Sequence, residues 1–168
     1  MPAGSTYSTI ATTTLGSAQA SYTFSSIAST YTDLVLVMSI IAESNLGGQN
    51  ALLRFNSDTG SNYSFTWMYG NGTSATSSRV SNSTSLGRAD FYTTTVPTTT
   101  IVSIMNYANS TTYKTALTRS GVTDSGAGTR ANVGLWRSTS AINSITILTD
   151  SGNFGINSTF TLYGIASA

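Results

Sequence analysis

Residues 33–43, Asp-Leu-Val-Leu-Val-Met-Ser-Ile-Ile-Ala-Glu, constrain this chain more than any other stretch. The run is apolar and rich in β-branched residues. Thr30-Tyr31-Thr32 precede it and Ser44-Asn45-Leu46-Gly47-Gly48 follow it. That length and composition predict a single long strand rather than a helix. Successive side chains of a strand point to opposite faces. Leu34, Leu36, Met38 and Ile40 therefore share one face, and Val35, Val37 and Ile41 share the other. An antiparallel strand with one face in water alternates apolar with polar residues, and this one does not. The run thus predicts a central strand with one face on the core. Its second face is to be covered by a loop, a second copy or a partner, which makes Val35, Val37 and Ile41 the candidate assembly interface.

The rest of the chain is a series of short runs separated by Gly, Asn, Asp and Ser clusters, which read as strands and turns. Gln49 to Phe55 returns from the central strand, and Asn56-Ser57-Asp58-Thr59-Gly60 is a dense turn signal. Tyr63, Phe65, Trp67 and Tyr69 then alternate with Ser64, Thr66 and Met68. Such an aromatic stripe either faces the core or stacks a ligand, and the large apolar area of each ring favours the core. Leu36, Phe55, Phe65, Trp67, Ile145 and Leu162 are the expected core. No helical period extends beyond two turns. The spacing predicts an all-β, single-domain antiparallel β-sandwich, jelly-roll-like. Residues 1–15 form an N-terminal strand or arm. Residues 16–168 form the sandwich, with a long polar loop at 70–87. A chain of 168 residues can bury roughly 70% of its unfolded surface and needs no covalent staple.

The missing residue types narrow the chemistry. There is no Cys and no His, so no catalytic triad, no Cys-His pair and no thiolate or imidazole metal site can be built. The acidic residues Asp33, Glu43, Asp58, Asp90, Asp124 and Asp150 show no pairing in their spacing, so no catalytic residue, cofactor or metal is expected. Asn56, Asp58, Gly60 and Asn62 share the every-second-residue spacing of a calcium loop. They lack its bidentate Glu, and a turn held by Asx hydrogen bonds is the simpler reading. Charged residues make up 8% of the chain, with a net charge of +1. The scattered Lys and Arg argue against nucleic acid as a partner. No apolar run approaches the ~20 residues that span a bilayer, so no membrane partner is expected. The first residues, Met1-Pro2-Ala3-Gly4-Ser5, do not read as a signal peptide. Asn62, Asn71, Asn82, Asn109 and Asn157 begin Asn-x-Ser/Thr sequons, an outcome of the Ser/Thr/Asn-rich composition.

Several stretches carry a resemblance when taken in order. They are Phe24-Ser25-Ser26-Ile27 leading to Thr30-Tyr31-Thr32-Asp33-Leu34; Arg54-Phe55-Asn56-Ser57-Asp58-Thr59-Gly60 with Asn62-Tyr63; Tyr69-Gly70-Asn71-Gly72; Gly134-Leu135-Trp136; and Thr161-Leu162-Tyr163-Gly164-Ile165. Together they resemble a family of small β-rich virion structural proteins of tailed bacteriophages, cyanophages among them. The resemblance spans most of the chain except residues 73–88. It implies a jelly-roll-like subunit of the virion without enzymatic activity, assembling as a homotrimer. Its partners would be copies of itself and the phage major capsid protein or other virion proteins. The role it implies is capsid decoration (cement). The alternative is a tail-fibre or receptor-binding module contacting host surface glycans. The absence of a fibre-like repeat favours decoration.

Overall fold

A computed structural model describes residues 6–45, 49–91, 93–122 and 128–166. The described residues form twelve strands and include no helix. Eight make one sheet: β1 (Tyr7–Thr14), β12 (Thr159–Ile165), β3 (Asp33–Ile40), β8 (Thr98–Met105), β9 (Lys114–Val122), β10 (Gly128–Trp136), β5 (Tyr63–Gly70) and β6 (Ala75–Ser83), in that spatial order. Four make the second: β2 (Ser21–Phe24), β11 (Ile145–Thr149), β4 (Gln49–Phe55) and β7 (Leu86–Phe91). Every pairing is antiparallel. The two sheets enclose one core, so the expected antiparallel sandwich is present.

The long apolar run forms β3, inside the larger sheet between β12 and β8. Leu34, Leu36, Met38 and Ile40 are buried, while Val35 and Val37 are half-buried on the opposite face. The strand stops at Ile40, earlier than expected. The Ile41 backbone turns away to other partners: its N–H donates to Ser158 Oγ (3.0 Å) and its carbonyl accepts from Gly155 N–H (2.7 Å). Ile41 therefore does not extend the Val35–Val37 face.

One further expectation is corrected. The polar stretch 70–87 is not a loop, because most of it is strand β6, the edge of the larger sheet, followed by the start of β7. β6 is exposed along almost its whole length, so its sequence carries no apolar period. Its order comes from backbone pairing with β5. Of the strand or arm expected at the N-terminus, Tyr7–Thr14 form the strand. Tyr7 to Thr14 pair along the full length of β12 at the other edge, with a bulge between Thr9 and Ala11.

Aromatic contacts fill the space between the sheets. Tyr63 stacks on Trp136 with ring centroids 6.2 Å apart, and Phe55 meets the same indole edge-on at 5.6 Å. Phe154, Phe160, Tyr22 and Phe24 form a second chain of rings. Strand β7 lies close over β9, β10 and β5 of the opposite sheet. Gly134 allows this approach: a Cβ there would come within 2.7 Å of the Leu86 side chain.

Of the six residues expected in the core, five are buried and Trp67 is half-buried. Leu36→Ala or Phe55→Ala should each cost about 2–5 kcal/mol through lost transfer energy and the cavity left behind. Thr76→Ala, on exposed β6, should stay within about 0.5 kcal/mol. Urea unfolding midpoints of the three variants measure both effects.

Candidate functional site

The second face of β3 belongs to the outer surface of the larger sheet, and the register shows what accompanies it. Directly paired residues share a face. One row across the sheet runs Tyr163, Val35, Ser103, Leu117, Val133, Thr66. The next runs Thr161, Val37, Ile101, Arg119, Ala131, Met68. The apolar positions form a continuous band from β12 to β5. Its most exposed members lie away from β3: Leu117 is 46% exposed, Val133 54% and Met68 61%. Between them lies a shallow depression of about 530 Å³, bordered by Met68, Leu117, Arg119, Ala131 and Val133.

Two of the three predicted interface residues, Val35 and Val37, therefore sit together on this band. Ile41 lines a separate depression of about 240 Å³ with Ala18, Glu43, Thr94 and Ile156. Leu117 and Val133 escaped the sequence reading. Leu117 is a lone large apolar residue in a polar stretch, Val133 is followed by Leu135 and Trp136, and only the strand register aligns the two. Met68 alternates with the aromatic stripe in the sequence, and that alternation puts it on the outer face.

The inner face of the same sheet turns polar toward one end. Thr100, Ser120 and Arg130 follow one another across β8, β9 and β10, and Thr118 and Asn132 lie one row over. All five are buried. The Arg130 guanidinium carbon stands 4.8 Å from the Trp67 ring centroid and 5.2 Å from that of Tyr69. A cation held near two aromatic faces is stabilised by their quadrupoles, more so when desolvated. The aromatic stripe is thus core at Tyr63 and Phe65 and becomes a partner of Arg130 at Trp67 and Tyr69.

A second buried cation, Lys114, is held by main-chain oxygens. Its Nζ donates to the carbonyls of Thr112 (2.7 Å) and Thr139 (3.1 Å). Burial pushes its pKa below the usual lysine range.

The Asn56–Asn62 turn is occupied by the protein's own groups. Asn56 Oδ1 accepts from the backbone N–H of Asn143 and Ser144. Asp58 accepts from Gly60 N–H (2.8 Å), Asn62 Nδ2 (2.9 Å) and Trp136 Nε1 (2.7 Å). Asn56 and Asp58 therefore spend their oxygens on different segments, so the arrangement is a braced turn rather than an ion cradle. Burial raises the Asp58 pKa. The bonds from Trp136, Asn62 and Gly60 outweigh it and hold the carboxyl below the usual range. Tyr63 closes the corner: its hydroxyl accepts from Phe55 N–H (3.0 Å) and lies 3.2 Å from the Asp58 carbonyl. Burial pushes its pKa up to about 12.

The remaining described carboxylates are spent in the same way. Asp33 accepts from Asn106 N–H, Glu43 from Asn153 Nδ2, and Asp150 from Asn50 N–H. Among the described residues no three acidic groups gather into a metal site. Asp124 lies outside the described residues, as does the side chain of Asp90. No protein family, no curated protein and no solved structure matches this chain.

The corner at Asp58 and Tyr63 contributes to both limbs of the stability–pH curve. A lowered carboxyl pKa contributes stability above the unfolded-state value near 4 and loses it as pH falls through the folded value. A raised phenol pKa contributes stability below about 10 that is lost as pH rises toward about 12. Asp58→Asn should flatten the acid limb and leave the alkaline limb in place; Tyr63→Phe should do the reverse. Urea midpoints across the pH range test each arm.

Proposed function

We propose that this protein is a non-enzymatic structural subunit of a bacteriophage virion. In this reading it is a capsid decoration protein that stabilises the shell and assembles with copies of itself, as a trimer. The observation that carries the reading is the apolar band across the outer face of the larger sheet. Leu117, Val133 and Met68 stand exposed in it beside Val35, Val37 and Ile101. Contiguous exposed apolar area of this kind marks interaction surfaces, and burying one such side chain contributes about 1.5–3 kcal/mol.

Further features support the proposal. The carboxylates described above are engaged in bracing turns and strand ends, which suits a structural role. A near-neutral chain limits repulsion between copies and leaves little stability in screened charge pairs. The eight-and-four sandwich is compatible with a jelly-roll-like subunit. The resemblance of Arg54-Phe55-Asn56-Ser57-Asp58 and Thr161-Leu162-Tyr163-Gly164-Ile165 to phage virion proteins supplies the particle. The phage major capsid protein is the partner this role requires.

Light scattering of the purified protein should give a mass well above the 17.5 kDa of one chain. The double substitution Leu117→Asp and Val133→Asp should reduce it to one chain without loss of folded signal, because both positions face outward. Particles lacking the protein should assemble yet release their genome at a lower temperature. A strictly monomeric protein located only at the tail tip would overturn the decoration role in favour of receptor binding.

A further inference from the structure

Strands β5 and β6 are joined by Asn71-Gly72-Thr73-Ser74, all exposed. Asn71 N–H donates to Ser74 O at 3.2 Å and closes the turn. The Asn71 side-chain oxygen accepts from Thr73 N–H (3.0 Å), Ser74 N–H (2.8 Å) and Ser74 Oγ (3.3 Å). The next residue is Gly72, at φ +85, with nothing within 4 Å of the place a Cβ would occupy. No other Asn in the sequence precedes a Gly.

These features together suit one reaction. The Gly72 nitrogen can attack Asn71 Cγ, and as the N–Cγ bond forms the carbonyl electron pair moves onto Oδ1. Donors already aimed at that oxygen stabilise the charge, as they do in an oxyanion hole. Collapse of the tetrahedral intermediate breaks the Cγ–Nδ2 bond. Ammonia leaves, carrying the proton lost by the Gly72 nitrogen, and a five-membered succinimide remains. Water then adds to one of its two carbonyls. Addition at Cγ restores the main chain with aspartate. Addition at the main-chain carbonyl gives isoaspartate, with the chain routed through the side-chain carbon.

We propose that Asn71 is a self-modifying site, converted by its own turn into aspartate and isoaspartate without an enzyme. The fold contains its own control. Asn109 Oδ1 accepts from Thr111 N–H (2.7 Å), Thr112 N–H (2.9 Å) and both hydroxyls. The carbonyl is polarised in the same way, but the attacking nitrogen there belongs to Ser110, whose Cβ crowds it. The two turns therefore separate activation of the carbonyl from access to the nitrogen. Conversion of Asn71 takes the formal charge from +1 to zero (+1 − 1 = 0). Asn71 directly follows Gly70, which lines a depression of about 430 Å³ with Met68, Ala75 and Ala131. The isoaspartate form also lengthens the backbone of the turn by one carbon.

Folded protein, incubated at mildly alkaline pH and mapped by proteolysis with chromatography that resolves isoaspartate, tests the proposal. Asn71 should convert at least about tenfold faster than Asn109, a difference of about 1.4 kcal/mol in barrier. Gly72→Ala should slow it by a similar factor. Since alanine is strained at that φ, the reciprocal variant Ser110→Gly gives a second reading and should accelerate Asn109 about tenfold. Rates at Asn71 and Asn109 within about twofold of each other, or no acceleration in Ser110→Gly, would overturn it. So would faster conversion of Asn71 in denaturing urea than in the folded protein, because the turn would then be protecting the residue.

Discussion

The structure depends on β3 being buried on one face and paired on both edges. Its inner residues, Leu34, Leu36, Met38 and Ile40, lie in the core, while β12 and β8 satisfy its backbone on either side. Each buried aliphatic chain contributes about 1.5–3 kcal/mol relative to leaving it in water. Pairing on both edges leaves no ladder group of the strand unmatched within the core. From this seat the sheet extends through β8, β9 and β10 to β5 and β6. The outer face follows from the same geometry. Fixing Leu36 inward forces Val35 and Val37 outward, and the register carries that row on to Leu117 and Val133.

Eight strands face four, so the smaller sheet cannot cover the larger one with apolar side chains alone. The consequence appears at the inner end of β8, β9 and β10, where Thr100, Ser120, Arg130 and Asn132 are buried. Trp67 and Tyr69 extend the aromatic stripe into this region, offering ring faces to a guanidinium instead of to aliphatic groups. At the opposite end of β10, Trp136 stacks on Tyr63 and donates to Asp58, which ties the β4–β5 turn to the core. One sheet thus has a charged, aromatic end and an apolar, aromatic end.

The parts of this arrangement visible in the sequence are those where a single strand carries its own pattern. The apolar run gave away β3, and the alternation of Tyr63, Phe65, Trp67 and Tyr69 gave away β5. The dense Asn-Ser-Asp-Thr-Gly signal marked the turn between β4 and β5. What stayed hidden depends on neighbours. β6 is polar because it is an exposed edge, so no period announces it. Leu117 looks isolated in its own strand, Val133 reads with Leu135 and Trp136, and the two become a patch only through cross-strand register. Ile41 leaves the expected face because the strand ends at Ile40, where Ser158 and Gly155 capture the next backbone groups. Arg130 gave no signal, since a buried cation is recognised only by the rings around it.

The strand order also sets the timing of folding. β3 is hydrogen-bonded to β12, and β1 pairs only with β12 among the described strands. As the chain leaves the ribosome, β1 and one edge of β3 must wait for residues 159–165 before they can pair. Contacts between segments so distant in sequence carry a large loop-closure cost and slow the rate-limiting step. Until residues 159–165 have been made, the growing chain holds its most apolar strand with one edge unpaired. The neutral, Ser/Thr/Asn-rich segments on either side of that strand then matter for solubility during synthesis, before the sandwich has closed.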